Sequence, residues 1–294
     1  MAGSARQIAA ESRSMHQPKQ RTVDRMGKFG PLMVSTLRQE RKSYRAETAV
    51  AHGEGLLIAS YNVHKCVGTD GRFDPGRILS VIREINADVI ALQEADERFG
   101  ERAALLDLES LKRQSGLAAV RLPVPRKGHG WHGNVVLARD AEVTATHQIA
   151  LPGVEPRGAL MVDLTLPAGP LRVIAAHLGL LRRSRAQQVE ALLSAAQAKD
   201  TRPTLLMGDL NEWRLGRRSS LLGLHPVFGP LHASVPSFPS RFPVWALDRV
   251  LANPHHLVSS VEIHDTPLAR VASDHLPIKA RINLNAMQEQ TQAA

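Results

Sequence analysis

The sequence predicts an α/β fold in which two mixed β-sheets pack face to face and helices cover their outer sides. Apolar runs of strand length alternate with helix-like stretches near both ends of residues 52–284. Between them, five short apolar runs follow one another without a helical stretch. A sheet with crossover helices accounts for the first pattern and a β-sandwich for the second, so two packed mixed sheets account for both.

The first part of this body alternates strands with helices. Residues 56–63 form an apolar run typical of a buried strand. Residues 75–86 have helical spacing, and Pro75 stands near their start, where a helix tolerates proline. A second buried strand is predicted at residues 88–93 and a second helix at residues 103–115.

Strands crowd together in the middle of the chain. They are predicted at residues 118–122, 134–138, 143–150, 159–166 and 171–177. Residues 166–171 contain two prolines and a glycine between two apolar runs, which predicts a hairpin turn. A helix at residues 183–198 and strands at residues 204–208, 246–251, 258–264 and 276–283 complete the body.

Composition excludes several classes of protein. Of the 294 residues, 43% are hydrophobic and 22% are charged, which excludes a collagen, a coiled coil and a wholly disordered chain. We interpret residues 52–284 as one domain. The one cysteine, Cys66, excludes a disulfide framework and any site that needs several thiolates of this chain. We interpret Cys66 as a small buried side chain.

Basic charge is concentrated in the N-terminal segment. Residues 1–50 hold ten Lys and Arg against four acids, and they lack sustained apolar periodicity. We therefore predict that residues 1–51 form a basic, mostly disordered arm that attracts polyanions such as nucleic acid. Residues 285–294 are predicted to be a flexible C-terminal tail. Because the arm has no apolar run of signal-peptide or membrane-span length, we expect a cytoplasmic monomer without a transmembrane segment.

Six apolar runs end in side chains that bind hard cations or move protons. These side chains are Asn62 and His64, Gln93 and Glu94, His177, Asp209 and Asn211, Asp248, and Asp274 and His275. A carboxylate or imidazole at the end of a buried strand is costly unless it is paired, hydrogen-bonded or metal-bound. Each of these residues alone is also compatible with a turn, with the start of a helix or with a core position where its polar atoms are hydrogen-bonded. Their recurrence at strand ends indicates one shared rim.

The same blocks resemble the endonuclease/exonuclease/phosphatase superfamily, which includes DNase I, exonuclease III-type AP endonucleases, neutral sphingomyelinases and inositol polyphosphate 5-phosphatases. The blocks are Ser60-Tyr61-Asn62-Val63-His64, Ala91-Leu92-Gln93-Glu94, Ala175-Ala176-His177, Gly208-Asp209-Leu210-Asn211, Leu247-Asp248-Arg249-Val250-Leu251 and Ser273-Asp274-His275-Leu276-Pro277. They are specific as a set, and the compact length is most similar to the small bacterial metal-dependent hydrolases of the superfamily. The resemblance implies a DNase I-like, four-layered α/β sandwich with its active site at one rim of the paired sheets.

The resemblance also implies a divalent metal ion. Glu94 is then the principal ligand, with Asn62 and Asp274 close to the ion. Oxygen ligands without thiolates suit Mg²⁺, with Mn²⁺ as the alternative. Mg²⁺ usually keeps several water ligands and takes further ligands from the substrate phosphate.

Five further residues are implied to be catalytic. His275 is expected to be hydrogen-bonded to Asp248, which would fix its tautomer and favour its protonated form. Asp209 and Asn211 would orient or deprotonate the attacking water and hold phosphoryl oxygens. His177 occupies the position of a second catalytic histidine. The assignment of general acid and general base among these groups stays open.

Two residues are candidates for substrate binding. Asn134 follows Gly133 at the start of a strand, where relatives carry a Gly-Asn pair near the phosphate, and a role in a turn is the alternative. Arg157 is a candidate phosphate contact, and an ordinary exposed arginine is the alternative. For Trp245 we favour a place in the core over the wall of a pocket.

The function implied is Mg²⁺-dependent hydrolysis of a phosphodiester, nuclease-like or phospholipid-type, by in-line attack of an activated water. A cation must neutralise the phosphoryl oxygens while a base prepares the water. The 3 Trp, 2 Tyr and 6 Phe offer few stacking side chains, which argues against a dedicated DNA-repair enzyme. The alternatives are a phosphomonoesterase of the inositol-phosphatase type and a non-catalytic binding module.

Overall fold

The structure is a computed structural model that describes residues 55–97, 100–123, 127–196, 202–214, 216–229 and 235–284. The predicted arm, residues 1–51, and the predicted tail, residues 285–294, lie outside the described residues, so both stay predictions. Within the described ranges, no helix has the length and apolar character needed to cross a membrane.

The described residues contain eleven strands and five α-helices. The strands are β1 (Leu56–Asn62), β2 (Val89–Gln93), β3 (Ala118–Ala119), β4 (Val135–Ala138), β5 (Glu142–Leu151), β6 (Arg157–Leu166), β7 (Gly169–His177), β8 (Thr204–Asp209), β9 (Asp248–Asn253), β10 (Val258–Ile263) and β11 (Ile278–Ile282). The α-helices are α1 (Pro75–Ile85), α2 (Leu108–Ser115), α3 (Arg182–Ala196), α4 (His225–Phe228) and α5 (Ala269–Ala272). Short 3₁₀ turns occur at His64–Cys66, Gly216–Arg218, Ser220–Leu224 and His255–Leu257.

The strands form two mixed sheets, as the sequence predicts. The first sheet has the order β10-β11-β1-β2-β4-β3, and only β1 and β2 pair in parallel within it. The second has the order β5-β6-β7-β8-β9, and only β7 and β8 pair in parallel. Each sheet therefore contains one parallel pair among antiparallel neighbours.

Alternation along the strands divides the apolar side chains into three clusters. Because successive residues of a strand point to opposite faces, Ile58 of β1 joins the core between the sheets while Ala59 faces the helices. In the second sheet, Val173 of β7 faces the first sheet and Ile174 packs outward. The outer clusters contain the buried faces of α1 and α2 on one side and of α3 on the other. The molecule is thus a four-layered α/β sandwich.

Local capping explains the helix limits. Helix α1 begins after Asp74, whose carboxylate accepts from the Arg77 backbone N–H at 3.1 Å, and Pro75 occupies its first turn. It ends at Asn86, a left-handed residue with φ of 51°. The predicted helix at residues 103–115 is shorter than expected because Asp107 caps its start by accepting from the Ser110 N–H at 2.8 Å.

A buried ion pair ties α3 to the loop that follows β8. The side chains of Arg185 and Glu212 have 0% exposure, and their nearest charged atoms lie 3.3 Å apart. Glu212 also accepts from the backbone N–H and the hydroxyl of Ser220, at 2.8 and 2.5 Å. Burial alone would raise the pKa of Glu212, but these hydrogen bonds and the Arg185 charge lower it to about 2.

Replacing Glu212 by glutamine is expected to lower the free energy of unfolding at neutral pH by about 3 kcal/mol, because the Arg185 charge stays buried without its counterion. Equilibrium unfolding in urea measures this difference. The Glu212 pKa is lower in the folded than in the unfolded chain, so its contribution is present above about pH 4.5 and is lost as the pH falls toward about 2. The difference in free energy of unfolding between the unchanged protein and the Glu212→Gln variant should therefore decrease as the pH falls through that range.

The matched control is Glu262→Gln, which removes an acid that is 62% exposed and contacts Lys279 at 2.9 Å. An exposed pair contributes about 0–1 kcal/mol, so this change should have little effect. Equal effects of the two substitutions would contradict the stabilising role of the buried pair.

Candidate active site

Strand alternation brings polar side chains to one rim between the sheets. In β1, the face that holds Ile58 in the inter-sheet core ends at Asn62. In β8, the corresponding face runs through Leu205 and Met207 to Asp209. The Asn62 amide Nδ2 donates to Asp209 Oδ2 at 3.0 Å, which joins the two sheets at this rim.

Strand register places two more predicted residues beside Asp209. His177 pairs with Asp209 in the parallel β7–β8 ladder, and Asp248 pairs with Asp209 in the antiparallel β8–β9 ladder. All three side chains are nearly inaccessible to solvent, with residue exposures of 3%, 2% and 1% in that order. The second sheet therefore presents three adjacent titratable groups at one end.

Asp209 lies at the centre of this group. Its Oδ1 accepts the backbone N–H of Asn211 at 3.0 Å, and its Oδ2 lies 3.4 Å from His177 Nε2 and 3.7 Å from His275 Nε2. Burial raises the pKa of Asp209, the charge of His275 opposes that rise, and the nearby Asp248 carboxylate adds to it. The result is a carboxyl group with a raised pKa, held between two imidazoles.

His275 forms a dyad with Asp248. Its Nδ1 lies 2.8 Å from Asp248 Oδ2, which also accepts from the Ser237 hydroxyl. Burial alone would lower the pKa of His275, but the charges of Asp248 and Asp209 raise it to about 10. This environment favours the imidazolium form of His275, in which Nδ1 donates to Asp248 while Nε2 lies 3.7 Å from Asp209 Oδ2.

Glu94 follows β2 with a left-handed backbone, φ 55°. Its carboxylate contacts the Lys65 ammonium, and its Oε1 lies 4.0 Å from His177 Nδ1. Burial alone would raise the pKa of Glu94, but the charges of His177 and Lys65 lower it to about 2. The turn that supplies Lys65 has positive φ at three consecutive residues, His64, Lys65 and Cys66, which is strained backbone beside the site.

Asn62, Glu94 and Asp274 surround this turn. The His64 backbone N–H donates to Asn62 Oδ1 at 3.0 Å, and His64 Nδ1 lies 3.8 Å from Asp274 Oδ1. The three residues offer only amide and carboxylate oxygens, which fit a small hard cation such as Mg²⁺. The described ranges contain no group of three or more His, Cys, Asp or Glu side chains arranged to hold a metal. A cation here would depend on water and substrate for its remaining ligands.

Arg157 lies against His177 and is not the exposed arginine of the alternative interpretation. Its side chain is 11% exposed, and its Nη1 lies 2.9 Å from His177 Nδ1 and 3.0 Å from His177 Nε2. Glu155 holds the same guanidinium through an Nη2–Oε2 contact of 2.8 Å. Arg157 thus adds a fixed positive charge at the rim, and its contact with substrate stays a prediction.

Two asparagines are tied to backbone groups. Asn134 is fully buried, and its Nδ2 donates to the carbonyls of Trp131 and Gly158 at 3.1 and 2.9 Å. This geometry agrees with the structural alternative for Asn134, and its contact with substrate stays a prediction. Asn211 Nδ2 donates to the Leu178 carbonyl at 2.9 Å, so Asn211 holds the loops after β7 and β8 together.

Sequence reasoning missed several neighbours of the site. Lys65 directly follows the block that ends at His64, and its positive charge at that place was the signal that could have identified it as a neighbour of the site. Phe238 packs on the His275 ring with centroids 4.8 Å apart, and Trp245 stacks on Phe238 at 6.0 Å. Trp245 is 50% exposed, so its assignment to the core was wrong. No sequence pattern linked Phe238 to His275, which is distant from it along the chain.

Gly208 permits close contact between the strands that carry His177 and Asp209. Its φ is 143°, and a Cβ built on it would lie 1.8 Å from the Ala176 carbonyl oxygen. Any side chain would therefore push β8 away from β7 at the rim. Both the close packing and the backbone conformation therefore require glycine at the position before Asp209.

The substitution Gly208→Ala is expected to lower the free energy of unfolding by about 3 kcal/mol, because it combines backbone strain with a backbone collision. Chemical unfolding followed by circular dichroism measures the change. The control is Gly71→Ala, since Gly71 also has positive φ, 74°, but has nothing within 4 Å of its Cβ position. Similar losses in both variants would show that the contact with Ala176 is unimportant.

Comparison with known proteins agrees with this fold. The sequence profile of the Endonuclease/Exonuclease/phosphatase family matches residues 59–275. The chain is 28% identical over 249 residues to the uncharacterized protein YbhP of Escherichia coli K12, a match that covers 77% of this chain and 96% of YbhP.

Solved structures show the same architecture. An endonuclease/exonuclease/phosphatase from Beutenbergia cavernae superposes with a TM-score of 0.57 at 22% identity, covering 79% of this chain and 72% of that one. D. rerio TDP2 complexed with single strand DNA product superposes with a TM-score of 0.56 at 15% identity, covering 79% of this chain and all of that one (100%). The fold is therefore the DNase I-like sandwich, and the chain belongs to the endonuclease/exonuclease/phosphatase family.

Proposed function

We propose that this protein hydrolyses a phosphodiester with the help of Mg²⁺ or Mn²⁺. The observation that supports this most directly is the buried Asp209 carboxyl, held within 3.4 and 3.7 Å of two imidazoles. One of these imidazoles, His275, is fixed as a cation by Asp248. A general base next to a fixed cation is the arrangement that in-line attack of water on phosphorus requires.

In this mechanism Asp209 is the base. Its Oδ1 and Oδ2 are oriented by Asn211 and Asn62, so the carboxylate is held in one position to take a proton from the attacking water. The water oxygen bonds to phosphorus as the bond to the leaving oxygen breaks, and the leaving oxygen keeps the electron pair of that bond and takes a proton from the surrounding water. His275 Nε2 donates a hydrogen bond to a phosphoryl oxygen and stabilises the added charge. Arg157, beside His177, supplies a second positive charge.

Glu94, Asn62 and Asp274 would hold the metal ion. When bound, the ion supplies Lewis-acid neutralisation of the phosphoryl and leaving oxygens. Lys65 contacts the Glu94 carboxylate and would compete with a cation for that oxygen pair. The protein's own contribution is a set of oxygen ligands placed at the same rim as the base.

The charge of the site favours a diester over a monoester. Five carboxylates, Glu94, Asp209, Asp248, Asp274 and Glu155, stand against four cations, Lys65, Arg157, Arg249 and protonated His275, which leaves one net negative charge. One divalent ion then leaves little net positive charge. A phosphodiester carries one negative charge and suits this balance better than a phosphomonoester with nearly two.

Substitutions of the three central groups test this assignment. Glu94→Ala, Asp209→Ala and His275→Ala are each expected to lower kcat on bis-p-nitrophenyl phosphate by about 10²–10⁴-fold while the far-UV circular dichroism stays native. The control is again Glu262→Gln, on β10 with its carboxylate 62% exposed. A folded Asp209→Ala variant with near-wild-type turnover would rule out Asp209 as the base.

Metal removal and a substrate panel test the reaction class. Excess EDTA is expected to abolish hydrolysis, and added Mg²⁺ or Mn²⁺ should restore it because the proposed ligands are hard oxygens. Plasmid DNA, RNA, bis-p-nitrophenyl phosphate, p-nitrophenyl phosphate and phosphoinositides are the substrates to compare. Faster release of phosphate from the monoesters than cleavage of any diester would favour the phosphatase alternative. Full activity in EDTA would contradict the metal requirement.

A further inference from the structure

An exposed surface of leucine, tryptophan and arginine lies next to the rim. It is formed by residues 180–183, 213, 214 and 216–218, and we refer to it as the Leu-Arg surface. Leu180 comes three residues after His177, and Trp213 comes two residues after Asn211. The loops that leave the site therefore form this surface.

Direct contacts hold the segments of the Leu-Arg surface together. Arg182 Nε donates to the Arg218 carbonyl at 3.2 Å, which links the start of α3 to the 3₁₀ turn at Gly216–Arg218. The buried Arg185 donates to the Leu180 carbonyl at 2.6 Å and lies 5.4 Å from the centroid of the Trp213 ring. The two loops thus form one continuous feature.

The apolar side chains of this surface are unusually exposed. Leu180 is 56% exposed, Leu181 is 53% exposed and Trp213 is 45% exposed. Val154 lies outside the residues that define the surface but is close to it, because its neighbour Glu155 accepts the Leu180 N–H at 2.7 Å. Val154 is 82% exposed and adds a fourth apolar side chain. Adjacent exposed apolar side chains on a folded domain indicate a binding surface more often than chance exposure does.

Exposed positive charge surrounds these apolar side chains. Arg182, Arg183, Arg217 and Arg218 are exposed, and no carboxylate of the described residues forms an ion pair with them. Glu155 and Glu212, whose backbone segments adjoin this surface, have side chains only 16% and 0% exposed and are paired with Arg157 and Arg185. The surface is therefore cationic as well as apolar, and it is complementary to an anionic partner with an apolar interior.

We propose that the Leu-Arg surface docks the protein on a bilayer that contains anionic phospholipid. Arginines would lie at the headgroup level, while Leu180, Leu181 and Val154 would enter the acyl boundary. A nucleic acid would match the arginines, but aliphatic side chains neither stack on bases nor contact phosphates, and Trp213 is the surface's one aromatic side chain. The aliphatic members therefore favour a membrane.

Docking at this place would present headgroup phosphodiesters to the rim. The loops that carry the surface continue directly into His177 and Asn211, so the bilayer would lie at the edge of the catalytic group. That consequence, a phospholipid substrate, rests on the proposed function. The docking itself involves no reaction and can be measured separately.

The test uses the full-length protein and sedimentation with lipid vesicles in EDTA, so that no hydrolysis takes place. Binding is expected to vesicles of phosphatidylcholine with phosphatidylglycerol and not to phosphatidylcholine alone. The double variant Arg183→Ser/Arg217→Ser should weaken this binding about 25-fold, since each arginine contributes about fivefold. The double variant Leu180→Ser/Leu181→Ser should weaken it by about tenfold or more.

Matched controls remove the same kinds of side chain elsewhere. Lys112→Ser/Arg113→Ser deletes two exposed charges at the end of α2, and Phe73→Ser/Val143→Ser deletes two exposed apolar side chains. Both should bind vesicles like the unchanged protein. Circular dichroism and the thermal midpoint establish that each variant folds.

Three results would overturn the proposal. Equal binding by the surface variants and the unchanged protein would place membrane attraction elsewhere, for example in residues 1–50. Loss of binding to a single-stranded oligonucleotide but not to vesicles in the surface variants would identify a nucleic-acid surface. Absence of vesicle binding by a protein that cleaves bis-p-nitrophenyl phosphate would refute docking and leave the proposed hydrolysis intact. Vesicle binding by a protein that cleaves no phosphate ester would support docking and refute the proposed function alone.

Discussion

The hydrogen bond from Asn62 to Asp209 is the contact on which the rest of the site depends. It joins the ends of two strands in different sheets, at 3.0 Å, in a place where both side chains are buried, with 3% and 2% exposure. An unpaired carboxylate there would be costly, so the bond stabilises the packing of the sheets and orients the acid at the same time. His177 and His275 gather around the same carboxylate, and the rim is organised about it.

Buried charges around this centre are compensated by one another. Arg249 is 4% exposed, and burial lowers its pKa to about 10 against the opposing charges of Asp248, Asp209 and Glu212. Glu212 in turn pairs with Arg185, whose guanidinium also holds the loop after His177. Supporting charges thus connect the polar residues of the rim to the exposed Leu-Arg surface. The same backbone loops serve the site on one side and the surface on the other.

The sequence predicted the sheets and the meeting of polar strand ends at one rim because both follow from local patterns. Period-two apolar runs mark buried strands, and polar residues at their ends mark a rim. Element ends were less accurate, since the strand predicted at residues 246–251 runs from Asp248 to Asn253. The exposure of Trp245 and the packing of Phe238 on His275 depend on contacts between distant parts of the chain. No local pattern reports such contacts.

The sequence alone determined the family, through the resemblance of its six motif blocks. Residue type and spacing determined the fold class and the carboxylates, imidazoles and amides at strand ends. Only the tertiary structure decided what each one touches. It placed Lys65 against Glu94, Arg157 against His177 and Phe238 against His275. It also showed that the buried Asn134 amide donates to two backbone carbonyls. The physical reason is that charge and pKa depend on the distance between groups that the chain brings together from separate strands.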